Sequence, residues 1–227
     1  MSIAEKLTTI AENEQKVYDA GKQVGEGVFW DNYQNNGKRT NYSYAFYMWP
    51  MSAFKPKYDL KPTNGTYMFR NITDEVSLVD LLEQAGVVLD TSNCSNFSYM
   101  FYMSSFTEIP HIVIAKTTSL SSFIYNCNNL TKLEITFGEG CVSSFSTSTI
   151  RSTSLVDLTV HGVIDRTGLN LSYCTALSHD SLMSVINALK NYSGSGTTYT
   201  LTLGTTHLAQ LTTAEKAIAT NKGWTLA

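Results

Sequence analysis

The sequence predicts an α/β chain in which a short stack of repeats is closed by a cap at each end. Three observations carry this. An apolar motif returns every 22–25 residues between positions 94 and 177. An aromatic-rich stretch with several prolines precedes it. A helix–strand–helix–strand pattern follows it to the end of the chain. The expected units are an N-terminal amphipathic helix (1–20), an N-terminal cap region (21–93), the repeat body (94–177) and a C-terminal α/β cap (178–227).

Composition sets bounds on function. The 227 residues suffice for one sizeable core, or one core plus a small module. The hydrophobic share of 43% marks a folded chain. Charged residues are only 15%, so Ser, Thr, Asn and Tyr supply the polarity, which suits hydrogen-bonded β structure. A net charge of −3 argues against a general nucleic-acid binder, which needs a basic face. No apolar run approaches the ~20 residues that span a bilayer, so no membrane partner is expected. Met1 to Ala20 lacks the basic start and apolar core of a secretory signal. The expectation is therefore synthesis in the cytoplasm.

The first element, residues 1–20, reads as a helix. Ile3, Leu7, Ile10 and Val17 fall on one heptad seam, with Glu14 interrupting it. So short a helix must pack on its own domain or on copies of itself. The second option makes these four residues a candidate seam for a homo-oligomer. Residues 21–39 read as a linker anchored by Val28, Phe29 and Trp30. Residues 40–51 alternate aromatic side chains on both parities, as a strand covered on both faces would. Pro50, Pro56 and Pro62 turn the chain after it. Residues 73–90 read as a helix capped by Thr73, with Asp74 and Glu75 in its first turn and Gly86 at its end. Val87 to Leu89 follow as a short strand.

The repeat itself has the form L-x-x-L-x-L. It occurs at Leu130, Leu133 and Ile135, and again at Leu155, Leu158 and Val160. Phe106 and Ile109 begin a degenerate copy in which His111 takes the third place. Cys127 and Cys174 each precede an apolar residue by three, and Ser152 and Met103 occupy the same place in the other copies. Such a period lies in the range of leucine-rich repeats, whose units must stack because none buries its own apolar face. The predicted fold is thus an α/β, short leucine-rich-repeat-like solenoid with an N-terminal aromatic cap and a C-terminal α/β cap.

The segment Phe123 to Ile135 resembles the BspA-type leucine-rich repeats of bacterial surface proteins, and the resemblance covers about residues 94–177. The opening Ile3-Ala-Glu-Lys-Leu7, the segment Ala11 to Tyr18 and the ending Gly204 to Ala227 resemble the ends of uncharacterised structural proteins of phages and prophages of gut Gram-positive bacteria. That likeness implies a virion-associated, tail-fibre-like role.

In the C-terminal cap, Ser178 to Tyr192 reads as a helix with Leu182, Val185, Ile186 and Leu189 on one face. Tyr199, Leu201 and Leu203 alternate as a strand. Thr212 and Glu215 have capping-box spacing for a second helix, and Trp224 to Leu226 ends the chain as a strand. This unit is placed to close the last open edge of the stack.

Motifs that carry chemistry are missing from this sequence. Cys94, Cys127, Cys141 and Cys174 form no C-x-x-C pair and read as buried small hydrophobes. His111 and His161 sit two repeats apart, roughly 10 Å, too far to share a metal. No P-loop, dinucleotide fingerprint or G-x-S-x-G occurs. The expectation is a non-enzymatic protein with no cofactor, no metal and no catalytic residue. The aromatic cluster of Trp30, Tyr42, Tyr44, Phe46, Tyr47 and Trp49 fits either a cap core or a surface for sugar or protein. Glu108, Lys132 and Asp157 recur at one repeat position with alternating sign. They form either a cross-strand charge ladder or a recognition surface. The expected function is recognition of a protein or cell-surface glycan by a virion component. A bacterial adhesin-like interaction protein is the alternative, and a glycan hydrolase with paired carboxylates the third class.

Overall fold

The computed structural model describes residues 26–116, 119–141, 145 and 149–227, together with residues 9, 12, 13 and 16. The candidate seam of Ile3, Leu7, Ile10 and Val17 lies outside the described residues. What is described is a mixed α/β chain with small parallel sheets. Every strand pair and isolated bridge among the described residues is parallel. Parallel neighbours need a long connection. Here it measures, for example, 23 residues from Thr40 to Thr63 and 32 from Thr63 to Ser95.

Helix α1 (Glu26–Tyr33) replaces the expected linker. Phe29 and Trp30 each lie about one turn before Tyr33, and all three are buried. They pack among Phe46, Trp49 and Phe54, with ring centroids 5–7 Å apart. Burial of that aromatic face overrides the Gly- and Asn-rich composition that suggested a linker. Gln34 fastens the helix end to the next loop. Its side-chain oxygen accepts from the Lys57 and Tyr58 amides, and its nitrogen donates to the Tyr58 carbonyl.

Residues 40–51 are not the expected strand. They form consecutive tight turns, and the backbone hydrogen bonds show how. The amides of Tyr44, Phe46 and Met48 donate to Thr66, Met68 and Arg70 on the next rung. Those of Ala45, Tyr47 and Trp49 donate back to Tyr42, Tyr44 and Phe46 on their own rung. Alternate residues thus serve two directions, so a period-2 signal arises without an extended chain. The same arrangement runs on through residues 65–71 and 97–104. It requires left-handed backbone at Tyr44, Tyr67 and Tyr99, and again at Met48, Asn71 and Met103, four residues on in each rung. Inside, Phe46, Phe69 and Phe101 stack at 5.2 and 5.5 Å.

Helix α2 (Leu78–Ala85) begins later than expected. Ser77, not Thr73, is its cap, accepting from the Asp80 amide, and Gly86 ends it in left-handed conformation. The Asp74 carboxylate is used elsewhere, accepting from the Met51 amide at 2.6 Å.

Strands β1 (Ile112–Ile114), β2 (Ile124–Tyr125), β3 (Lys132–Phe137), β4 (Ile150–Arg151) and β5 (Asp157–Gly162) follow. The main sheet has the order β1-β3-β5, and β2 pairs with β4. Leu133 faces Leu158, and Ile135 lies between Ile112 and Val160, all buried. Ile112, not His111, occupies the third apolar place. The chain carries one extra residue after Glu108, which pairs with Lys132, and this pushes His111 outward to an exposed position.

The edges of this sheet are sealed by hydroxyls. Helix α3 (His179–Ala188), capped by Ser178, lies along β5. Ser181 Oγ accepts from the Leu158 amide at 2.7 Å, and Ser184 Oγ from the Val160 amide at 2.8 Å. On the far side, Thr91 Oγ1 accepts from the Val113 amide and donates to its carbonyl, at 2.8 and 2.9 Å. The rest of the cap comprises β6 (Tyr199–Leu201), α4 (Thr205–Gln210), α5 (Thr213–Asn221) and β7 (Trp224–Leu226), with β6 and β7 parallel. The Thr212–Glu215 capping box is present at α5. Helix α4 had no counterpart in the sequence reading. Its buried His207 bonds the Cys174 carbonyl through Nε2 at 3.0 Å, which ties α4 to the turn that precedes α3.

Candidate binding surfaces

The three charged residues singled out in the sequence do come together. Glu108 bridges Lys132, and Lys132 lies in register with Asp157. No ion pair within 4.0 Å joins these three side chains, so the row is an alignment of solvated charges. Lys132 and Asp157 are exposed and Glu108 is half-buried. An open depression of about 210 Å³ lies between Val79, Glu108, His111, Lys132 and Glu134.

The histidines are closer than the backbone spacing suggests. His111 and His161 ring centroids are 5.7 Å apart, not roughly 10 Å. The outward bulge at His111 lets its ring lean over β3, where Nε2 meets Thr136 Oγ1 at 2.8 Å. His161 Nε2 bonds Glu134 at 2.9 Å, and this bond holds the Glu134 carboxyl below its usual range. Both His161 and Glu134 side chains are at least 40% exposed. Among the described residues no group of three His, Cys, Asp or Glu side chains is placed to hold a metal ion.

The cysteines are buried free thiols, and desolvation raises the pKa of each. Cys127, Cys141 and Cys174 are pushed up to about 11. Cys127 Sγ donates to the Phe101 carbonyl, and Ser152 Oγ to the Cys127 carbonyl one rung on. The partner of Cys127 in the preceding rung is Ser104, 3.7 Å away, rather than Met103, which points outward and is 48% exposed. The repeat position therefore takes a small side chain that donates to a backbone carbonyl, of the rung before it at Cys127, Ser152 and Cys174 and of its own rung at Ser104.

The aromatic cluster divides between the core and the surface. Trp30, Tyr42, Phe46 and Trp49 are buried in the cap core. Tyr44 and Tyr47 are half-exposed and begin two outward columns. In the first, Tyr44 stacks on Tyr67 at 4.5 Å and Tyr67 on Tyr99 at 4.9 Å. In the second, the Arg70 guanidinium lies 5.8 Å from the Tyr47 ring centroid and 4.8 Å from that of Tyr102. Tyr102 stacks on Tyr125 at 5.1 Å. Arg151 continues the column, 5.2 Å from Tyr125 and 3.8 Å from Tyr173. Burial, then the neighbouring Tyr67, raises the pKa of Tyr44.

This Tyr–Arg surface was only half visible in the sequence. Its signal is the common spacing of the rungs. Buried residues fall at Tyr42, Ala45, Phe46 and Trp49, at Gly65, Met68, Phe69 and Ile72, and at Phe97, Met100, Phe101 and Ser104. The columns then run over Tyr44 and Tyr47, Tyr67 and Arg70, and Tyr99 and Tyr102, with Met48, Asn71 and Met103 next to them in the same rungs. Alignment of those rungs would have exposed the columns, which begin upstream of residue 94. Comparison of the chain with protein-family models, with curated proteins and with solved structures finds no match in any of the three.

Proposed function

We propose that this chain is a non-enzymatic structural or binding protein, built as a short leucine-rich-repeat-like solenoid that recognises a surface partner. Its setting in this reading is a phage or prophage virion, as a tail-fibre-like component. The supporting observation is the in-register parallel pairing that repeats one chemical choice from rung to rung. Repetition of that kind produces extended uniform surfaces, the usual working part of stacked-repeat binders. The row of Glu108, Lys132 and Asp157 is one such surface. The Tyr–Arg columns are another, and they carry the residue types enriched at interfaces. A seam through Ile3, Leu7, Ile10 and Val17 would multiply weak contacts by avidity.

Peptide mass spectrometry of purified particles and of the surface fraction of the producing bacterium tests the setting. Recovery with particles supports the virion reading. Recovery only on the cell surface replaces it with the adhesin-like one. Light scattering on the full chain and on a chain lacking residues 1–20 tests the seam. A dimer or trimer that becomes monomeric on truncation supports it, and a monomer in both cases removes it.

A further inference from the structure

We propose that the Tyr–Arg face binds an acidic glycan, with the two guanidiniums taking its carboxylate or sulfate groups. The inference rests on reading the protein as a binding module, and adds which face binds and what it takes.

Charge is the first argument. Residues 41–51, 64–73, 95–107, 119–131, 149–156 and 170–177, the segments that build and flank this face, contain no Asp or Glu. The chain as a whole is acidic, at −3. Acidic residues have been kept off one face while Arg70 and Arg151 stand on it.

The state of those arginines is the second. Among the described residues neither guanidinium has a carboxylate partner within 4.0 Å. Both side chains are held by aromatic rings instead, and both residues are half-buried. Arg70 Nε is buried with no acceptor. A cation partly withdrawn from water and facing only ring quadrupoles keeps much of its desolvation cost. An arriving oxyanion offsets that cost with charge-assisted hydrogen bonds, which the guanidinium fork makes in pairs. The rings also hold each guanidinium in place, so little freedom is lost on binding.

Geometry selects the class of ligand. Successive tyrosines stack face to face, so the columns present ring edges and hydroxyls more than open ring faces. That favours a hydroxyl-rich chain that accepts and donates hydrogen bonds. Peptide recognition commonly uses a free sheet edge, an apolar groove or open aromatic faces. The edges of the main sheet are sealed by Thr91, Ser181 and Ser184. Arg70 and Arg151 are three steps apart on the column, of 4.8, 5.1 and 5.2 Å. The two cations are thus separated by about 14 Å at the strand spacing, which a linear polymer with repeated anions spans and a single sugar does not.

The test is binding of the full chain to immobilised heparin, polygalacturonate, dextran and poly-glutamate at 50 and 200 mM salt. The first two separate sulfate from carboxylate. Expected is binding to at least one of these acidic glycans, weaker at the higher salt, and none to dextran. The doubly substituted R70Q/R151Q chain should bind at least about tenfold more weakly, and K61Q, an exposed lysine paired with Asp59 and on neither surface, within about twofold of wild type. Arg151→Gln alone, beside the exposed Tyr173, gives a partial loss with its melting curve preserved, should Arg70→Gln disturb folding. The proposal is overturned by no acidic-glycan binding at 50 mM salt, by binding unchanged in R70Q/R151Q, or by tighter binding to poly-glutamate than to either glycan. Whole host cells run in the same assay separate the two levels. Cell binding that survives R70Q/R151Q refutes this face and leaves the binding reading standing, whereas a chain that binds neither glycan nor cells removes both.

Discussion

Cys127 donates its thiol hydrogen to a carbonyl of the neighbouring rung, and burial pushes its pKa to about 11. Cys141 and Cys174 are shifted as far. Against an ordinary thiol near 8.5, that leaves on the order of a few hundred times less thiolate at neutral pH. A disulfide-exchange reagent at pH 8 should therefore find no fast-reacting cysteine in the folded chain and four after denaturation. Fast native reaction would contradict this burial. Gly162 makes a sharper point. Its φ is +76°, and an added Cβ would stand 2.0 Å from the Phe137 carbonyl oxygen. Gly86 has a similar φ of +66° but open space around it. Gly86→Ala should cost about 1 kcal/mol, and Gly162→Ala at least about twice that, since backbone must move as well. Urea unfolding of the two variants measures the difference, and equal costs would refute the close approach at Gly162.

Among the elements, helix α3 acts through its serines. Ser181→Ala deletes the acceptor for the Leu158 amide and leaves a buried donor unmade, at about 1–3 kcal/mol. Hydrogen exchange at Leu158 should quicken in that variant, and unchanged protection would show that the serine is dispensable. At helix α5, Thr212→Ala removes one half of the capping box, at about 1 kcal/mol in denaturant unfolding. The other half responds to pH. Hydrogen bonds from the Thr212 amide and hydroxyl hold Glu215 below its usual value. Its contribution is thus complete above the ordinary glutamate range and disappears as pH falls through the lowered folded value. The wild-type melting temperature should fall over that acid window more than that of Glu215→Gln. This helix was legible in advance because capping is local, four residues long and written in side-chain type. The Gly86 stop of α2 was legible for the same reason. The start of α2 was not, because Thr73 and Ser77 are equally good caps in a sequence. What chose between them is tertiary, since Asp74 is occupied by the Met51 amide. Residues 40–51 misled through their parity, which arises from hydrogen bonds alternating between rungs rather than from extension. Helix α1 was hidden because its aromatic face is stabilised by rings that arrive from residues 46–54.

For the whole molecule, the buried columns set stability. Leu133 and Leu158 face each other in register at 0% and 1% exposure. Leu133→Ala should cost about 2–5 kcal/mol, with the upper part of that range expected because neighbours on both sides prevent collapse into the gap. A loss below about 1 kcal/mol in denaturant unfolding would mean that Leu133 is not closely packed. The leucine period itself was readable, since its spacing survives any detail of the turns. The face that carries Arg70 and Arg151 was not, because its members lie one to a rung and meet only once the rungs are stacked.

The sealed sheet edges have a consequence for life in a crowded solution. Parallel, in-register rungs with matched side-chain columns are the arrangement by which fibrils recruit fresh chains without end. Each new rung offers the next one the same donors and acceptors it used itself. At the margins of the main sheet a side chain takes the place of such a strand: Thr91 accepts the Val113 amide on one side, and Ser181 and Ser184 accept the Leu158 and Val160 amides on the other. At those three amides a hydroxyl stands where the backbone of a recruited chain would otherwise bond.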